Sequence, residues 1–322
     1  MLPAGSIGSA SRVAFTARVM MEIAMSGASR CLILVVLSSL MNVPGQVLAQ
    51  DLRYPETRQV DVVDDFFGTD VADPYRWLED DVRESQDVRR WVTAQNEVTF
   101  GYLDGLESRD RIRARLTELV NYERYASPFL EADYYYYLRN DGLQNQSVLY
   151  RVATLDGEPE LVIDPNRWSE DGTVALQGVE ISDDGRYMTY ARSVAGSDWT
   201  EWFVRDMRTG EDLADHIEWT KFSGASWAKD GAGFYYSRFD EPADGAAFQA
   251  LNTNQKVFYH RIGTPQSQDR LVHARPDHPT WGFDAVVSDD GRYLVLLVYE
   301  GTDPRNRVYY IDLDDGELGD GD

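Results

Sequence analysis

Cysteine is nearly absent from these 322 residues. The only one, Cys31, lies in a segment expected to be cleaved away, so disulfides and thiol chemistry are closed to the mature chain. Lysine is almost as scarce, occurring only at 221, 229 and 256. The 31 basic residues face 55 acidic ones, a formal net charge of −24, and loss of residues 1–49 would make it −26. A surface of that sign excludes nucleic acid as a partner, because phosphate binding needs a basic one, and it favours solubility. No apolar run approaches the roughly 20 residues of a membrane-spanning helix. The longest near the start, Cys31–Met41, has 11.

Chemistry-bearing motifs are missing as well. There is no G-x-S-x-G elbow, no Walker loop and no G-x-G-x-x-G. The nearest string to an elbow, Gly224-Ala225-Ser226-Trp227-Ala228, lacks its closing glycine and falls in an expected strand, so Ser226 reads as a strand residue. Gly231 and Gly233 have no helix after them to receive a nucleotide phosphate. The imidazoles are His216, His260, His273 and His278. His273 and His278 stand five apart around Pro276, neither a helical pair nor a finger spacing, and nothing completes a ligand set. All four are expected on the surface or in loops. The Asp-Asp-Gly triplets at 183–185 and 289–291 lack the alternating ligands and distal Glu of a calcium loop and read as hairpin turns. Trp199 and Trp202 are bulky enough to line a pocket, but their strand spacing fits core between sheets better. No catalytic, substrate-binding, cofactor or metal residue is assigned, and neither metal nor cofactor is expected.

What the chain does contain is a repeat. Val179–Tyr190 (VEISDDGRYMTY) and Ala285–Leu296 (AVVSDDGRYLVL) each join a short apolar run, an Asp-Gly turn and an alternating run, the pattern of a tight hairpin. Ala225–Tyr236 is a looser copy and Phe129–Leu138 a degenerate one. Aligning Asp133, Gly185, Gly231 and Gly291 gives steps of 52, 46 and 60 residues, a period typical of β-propeller blades. Blades are expected at about 126–165, 177–221, 222–275 and 281–322, the last with three strands and no fourth. Three and three-quarter blades do not close a ring, because propellers have about four to eight. The expected fold is therefore all-β, an incomplete propeller, in a chain that reads as the front part of a longer protein.

Ahead of the blades, Arg12, Arg18 and Arg30, the apolar run, Pro44-Gly45 and Val47-Leu48-Ala49 form a secretory signal over residues 1–49, with Met20, Met21 and Met25 as alternative starts. That predicts a periplasmic or secreted protein. Residues 50–125 form an extended and helical segment. An extended part to residue 72 carries Val60, Val62, Val63, Phe66 and Phe67, which need a surface to dock on. Amphipathic helices follow from about Ser85 to Leu103 and Ser108 to Tyr122, and their apolar stripes have no partner before residue 125.

Asp73–Asp80 (DPYRWLED), Asn140–Tyr150 (NDGLQNQSVLY), Asp171–Leu176 (DGTVAL), Gly196–Trp199 (GSDW), Asn252–Tyr259 (NTNQKVFY) and Ser288–Tyr293 (SDDGRY) resemble, in collinear order, the N-terminal part of the prolyl oligopeptidase (prolyl endopeptidase) family of serine peptidases. The resemblance runs from about Tyr54 to Leu313. It implies a seven-bladed propeller that acts as lid and size filter over an α/β-hydrolase domain, with the helical segment packed on that domain. Short peptides would be cleaved after proline. It also implies that the Ser, Asp and His of the triad lie beyond residue 322 and that this chain alone is inactive. The alternative is a non-enzymatic periplasmic propeller that binds peptides or another envelope protein and associates with itself to cover its exposed blade faces.

Overall fold

From Phe129 onward, short apolar runs broken by Asp, Asn and Gly fold into antiparallel strands. The computed structural model describes residues 52–243, 247–248 and 251–314. The segment expected to be a secretory signal, residues 1–49, lies outside the described residues.

The segment before the blades is built on local braces. Strands β1 (Val63–Phe66) and β2 (Thr69–Ala72) form a hairpin where an extended chain was expected. Phe67 at its turn adopts φ 54°, and Val63, Phe66, Phe67 and Val71 are all exposed. Arg76 holds the following turn together through Asp73 at 2.6 Å and Asp64. Trp77 Nε1 donates to the Arg58 carbonyl at 2.8 Å and packs edge-on against Trp91, 6.4 Å between centroids. Helix α1 (Gln86–Asp104) is capped by Ser85, whose hydroxyl accepts from Val88 N, and it ends at Gly105. Helix α2 (Arg109–Val120) leaves Ile112, Leu116 and Leu119 more than half exposed. No described residue between 126 and 314 covers that row.

Four sheets follow. The first contains β3 (Arg124–Tyr125), β4 (Phe129–Glu131), β5 (Tyr134–Asn140), β6 (Val148–Val152) and β7 (Glu160–Ile163). The second has β8 (Val174–Ile181), β9 (Tyr187–Val194), β10 (Thr200–Asp206) and β11 (Glu211–Thr220). The third has β12 (Ala225–Trp227), β13 (Gly233–Arg238), β14 (Lys256–Arg261) and β15 (Arg270–Ala274), and the fourth β16 (Trp281–Val287), β17 (Tyr293–Glu300) and β18 (Arg307–Asp312). Each sheet is an antiparallel meander, and the first strands β8, β12 and β16 run beside one another. The second blade begins three residues earlier than its expected start at 177, because Val174 already pairs with Val194.

The same turn recurs at each repeat. Gly185, Gly231 and Gly291 adopt φ of 66°, 65° and 74°, a left-handed conformation that glycine takes without strain, and each N–H closes the turn on the carbonyl three residues back. Asp184, Asp230 and Asp290 accept the N–H two residues on, so these carboxylates brace their own turns.

The core lies between blades. Tyr136, Leu149 and Ile163 of blade one pack on Met188 and Tyr190 of blade two. Trp202 and Ile217 of blade two meet Trp227, Phe234 and Tyr236, and Tyr235, Val257 and Val272 of blade three meet Phe283, Leu294 and Val298. A blade with neighbours on both sides buries both faces, which is why β13 is buried almost throughout its length. The outward faces of the first and last blades have no such cover: Leu130 and Leu161 on one, Val308 and Tyr310 on the other, stay exposed. No strand of blade four pairs with blade one among the described residues, so the ring is incomplete.

Candidate functional site

Blade stacking fixes the strands, and the loops at one end of blades two to four then surround two cavities. The first, about 820 Å³, opens between blades three and four. Its walls are mostly apolar, with Phe222, Phe239, Leu251, Trp281 and Tyr299, and the polar groups are Asn252, Thr253, Thr280, Glu300 and Thr302. Concave apolar surface with a few oriented polar groups is the form of a ligand site.

One buried amide organises this cavity. Gln255, 1% exposed, donates from Nε2 to the Lys221 carbonyl at 2.9 Å and accepts from Phe283 N at 2.6 Å. The Tyr299 hydroxyl donates to the Phe222 carbonyl at 3.1 Å. Phe222 is thereby held at φ 54°, a strained conformation for a bulky residue, with its ring exposed toward the cavity. The Tyr299 ring crosses position 282 so closely that a Cβ there would lie 2.2 Å from it, which is why Gly282 opens the fourth blade.

The second cavity, about 750 Å³, lies beside blade two. Residues 79–83 form one side, with the loop at 194–200 and Trp219 opposite. Arg83 lies over the Phe248 ring at 3.9 Å. Trp199 separates the two cavities: its Nε1 donates to the Ala247 carbonyl at 2.6 Å, and its ring meets Trp219 and Phe239 edge-on. Lys221 lies 4.7 Å over Trp199 and donates to Asn252.

The residues weighed from sequence are dispersed. Ser226 sits in β12 and accepts Val287 N at 2.9 Å, a strand-to-strand link. Trp202 is core, 2% exposed, whereas Trp199 lines a cavity. Surface or loop positions were expected for the histidines, and two depart from that. His260 is completely buried, with Nδ1 2.7 Å from Asp269 and Nε2 2.9 Å from Asp215. Burial alone would lower its pKa, but the hydrogen bonds it donates to both carboxylates overcome that and raise it to about 9. His273 is partly buried against Phe283 with no partner for Nε2, and burial together with Arg275 pushes its pKa down. His216 is exposed and bonded to Glu201, and His278 stacks on Trp281 at 3.8 Å. Neither burial was legible from spacing, because Asp215 comes from the preceding repeat.

On the inner strands, Glu180 of β8 is reached by solvent yet hemmed in by protein. That desolvation, with the charges of Glu131 and Asp284, pushes its carboxyl up to about 7. Among the described residues no cluster of three or more His, Cys, Asp or Glu could hold a metal ion.

Comparison with known proteins agrees with this architecture. Residues 54–318 match the family model of the prolyl oligopeptidase N-terminal β-propeller domain. The prolyl endopeptidase of Elizabethkingia meningoseptica is 40% identical over 262 residues, covering 81% of this chain and 36% of that protein. Prolyl oligopeptidase A of Amanita bisporigera is 33% identical over 296 residues, covering 83% and 38%. Among solved structures, prolyl oligopeptidase B of Galerina marginata, bound to a 35-residue hydrolysis and macrocyclization substrate, superposes with TM-score 0.70 at 30% identity, over 84% of this chain and 40% of that one. The chain thus spans less than half the length of these relatives.

Proposed function

Because the chain belongs to the prolyl oligopeptidase family, through that family's N-terminal β-propeller domain, we propose that it is the N-terminal portion of a serine-type endopeptidase that cleaves short peptides after proline. In this reading the blades are the lid and size filter over an α/β-hydrolase domain that supplies Ser, His and Asp. Acylation of that serine needs no metal or cofactor, since the histidine takes the serine proton and returns it to the leaving amine. The protein works in the periplasm or outside the cell, exported by its N-terminal segment.

What carries the reading is the run of blades, lying within the match to that domain over residues 54–318. The histidines support the assignment of chemistry elsewhere. His216 and His260 are bonded to carboxylates, while His273 and His278 pack on aromatic rings, so among the described residues none of the four is set against a serine hydroxyl. The cavity between blades three and four is then wall for part of the bound peptide, and the bare rows on α2 and on the outer blade faces are where the hydrolase domain and the remaining blades dock.

A non-enzymatic peptide-binding propeller is the second reading, favoured by a cavity whose lining residues all come from blades three and four and the loops leading into them. Incubation of the full chain with a chromogenic proline peptide tests the first. No turnover is expected; turnover that survives repurification and disappears on substitution of a residue within 51–322 overturns the assignment.

A further inference from the structure

Among the described residues that line the cavity between blades three and four, Glu300 is the one carrying a formal charge. It stands at the end of β17, exposed, and Thr280 Oγ1 donates to its Oε1 at 2.9 Å, while Oε2 takes no hydrogen bond from the described residues. The neighbouring cations make their hydrogen bonds elsewhere: Lys221 bonds Asn252 and sits against Trp199, Arg305 makes two contacts with Asp303 and feels Glu300 only through its charge, and Arg275 makes two with Asp277. Arg275 and Arg307 also lie over the Trp281 ring, 5.0 and 4.4 Å from its centroid, and take up that surface. The most exposed aromatic surface is Phe222, 56% exposed, which Lys221 approaches only at 5.8 Å from the ring centroid.

A carboxylate beside an open aromatic ring and aliphatic surface matches a long side chain with an apolar stem and a cationic head. A neutral side chain would satisfy the apolar walls but leave the carboxylate uncompensated, and an acidic one would meet repulsion, so discrimination has both an attractive and a repulsive part. The geometry points to a charge-selective pocket: Glu300, beside Phe222, Leu251 and Tyr299, selects an arginine or lysine side chain of the bound peptide. This rests on the reading that the cavity receives peptide. The strongly acidic chain, at −24, adds a long-range preference of the same sign.

The test is calorimetric binding of short proline-containing peptides to the full 322-residue chain. In each peptide one residue at a time is arginine or its neutral isostere citrulline. At one position arginine is expected to bind about two- to fivefold more tightly, the range of an exposed ion pair. The preference should vanish in Glu300→Gln, shrink in Thr280→Val, which frees the carboxylate from its anchor, and fade with salt. Phe222→Ala should weaken both peptides alike. Equal binding of arginine and citrulline at every position, or a preference that persists in Glu300→Gln, overturns charge selection while leaving the cavity a peptide site. Failure of every peptide to bind, or binding indifferent to Phe222→Ala, overturns the peptide reading itself and this proposal with it.

Discussion

Replacing His260 by Gln tests whether the contact between blades two and three is held by a buried charge. His260 on β14 is 0% exposed and bridges Asp215 of β11, whose side chain is 2% exposed, to Asp269 just before β15. Tyr236 donates to Asp269 at 2.6 Å and Gly263 N to Asp215 at 2.6 Å. Glutamine removes the cation and leaves two carboxylates in the core. Stranding a buried ion in this way costs about 3–5 kcal/mol, a third or more of the stability of an ordinary domain. The pH dependence gives an independent measure. A histidine whose pKa rises from 6.5 unfolded to about 9 folded stabilises fully below 6.5 and ceases to as pH rises through 9. That difference corresponds to roughly 3 kcal/mol, of the same size as the mutational estimate. Urea unfolding of the full chain, followed by tryptophan fluorescence at pH 6 and pH 10, reads both. The wild type should lose stability across that interval by about 3 kcal/mol more than His260→Gln does. A variant within about 0.5 kcal/mol of wild type at pH 6, or one with an unchanged pH profile, would refute the charged bridge.

Glu180 should behave in the opposite sense from an ordinary carboxylate. Its pKa is raised by desolvation from the protein around it and by the charges of Glu131 and Asp284, so ionisation opposes folding and stability falls as pH climbs from about 4.5 through 7. Glu180→Gln is expected to raise the thermal midpoint at pH 8 and leave it unchanged at pH 4; a lower midpoint at pH 8 contradicts this. Gly282→Ala places a methyl group against the Tyr299 ring, where a Cβ has only 2.2 Å. Displacing that ring should cost about 1–3 kcal/mol and loosen the Phe222 wall, seen as lost peptide affinity together with a lower urea midpoint. Unchanged affinity would show that Tyr299 does not shape the cavity.

Local features translated directly. The helix starting after Ser85 and ending at Gly105 was legible because caps act within one turn. The Asp-Gly turns were legible because Asp184, Asp230 and Asp290 bond only two residues ahead. The hairpin at 63–72 was not, since its turn is Phe67-Gly68, with a bulky residue forced to positive φ where Asn or Asp is usual. Histidines judged by spacing within one repeat were misplaced, because His260 takes its second carboxylate from 45 residues upstream.

By itself the sequence determined the all-β class, the repeat of the blade, the position of its turns and the family, since each depends on contacts a few residues apart or on ordered motifs. Only the tertiary structure decided which side chains meet across blades: Gln255 with Phe283, 28 residues away, Tyr299 with Phe222, 77 away, and the cavity they enclose. Periodicity specifies which face of a strand a residue occupies, but the neighbour on that face belongs to another repeat, and stacking alone sets the register between them.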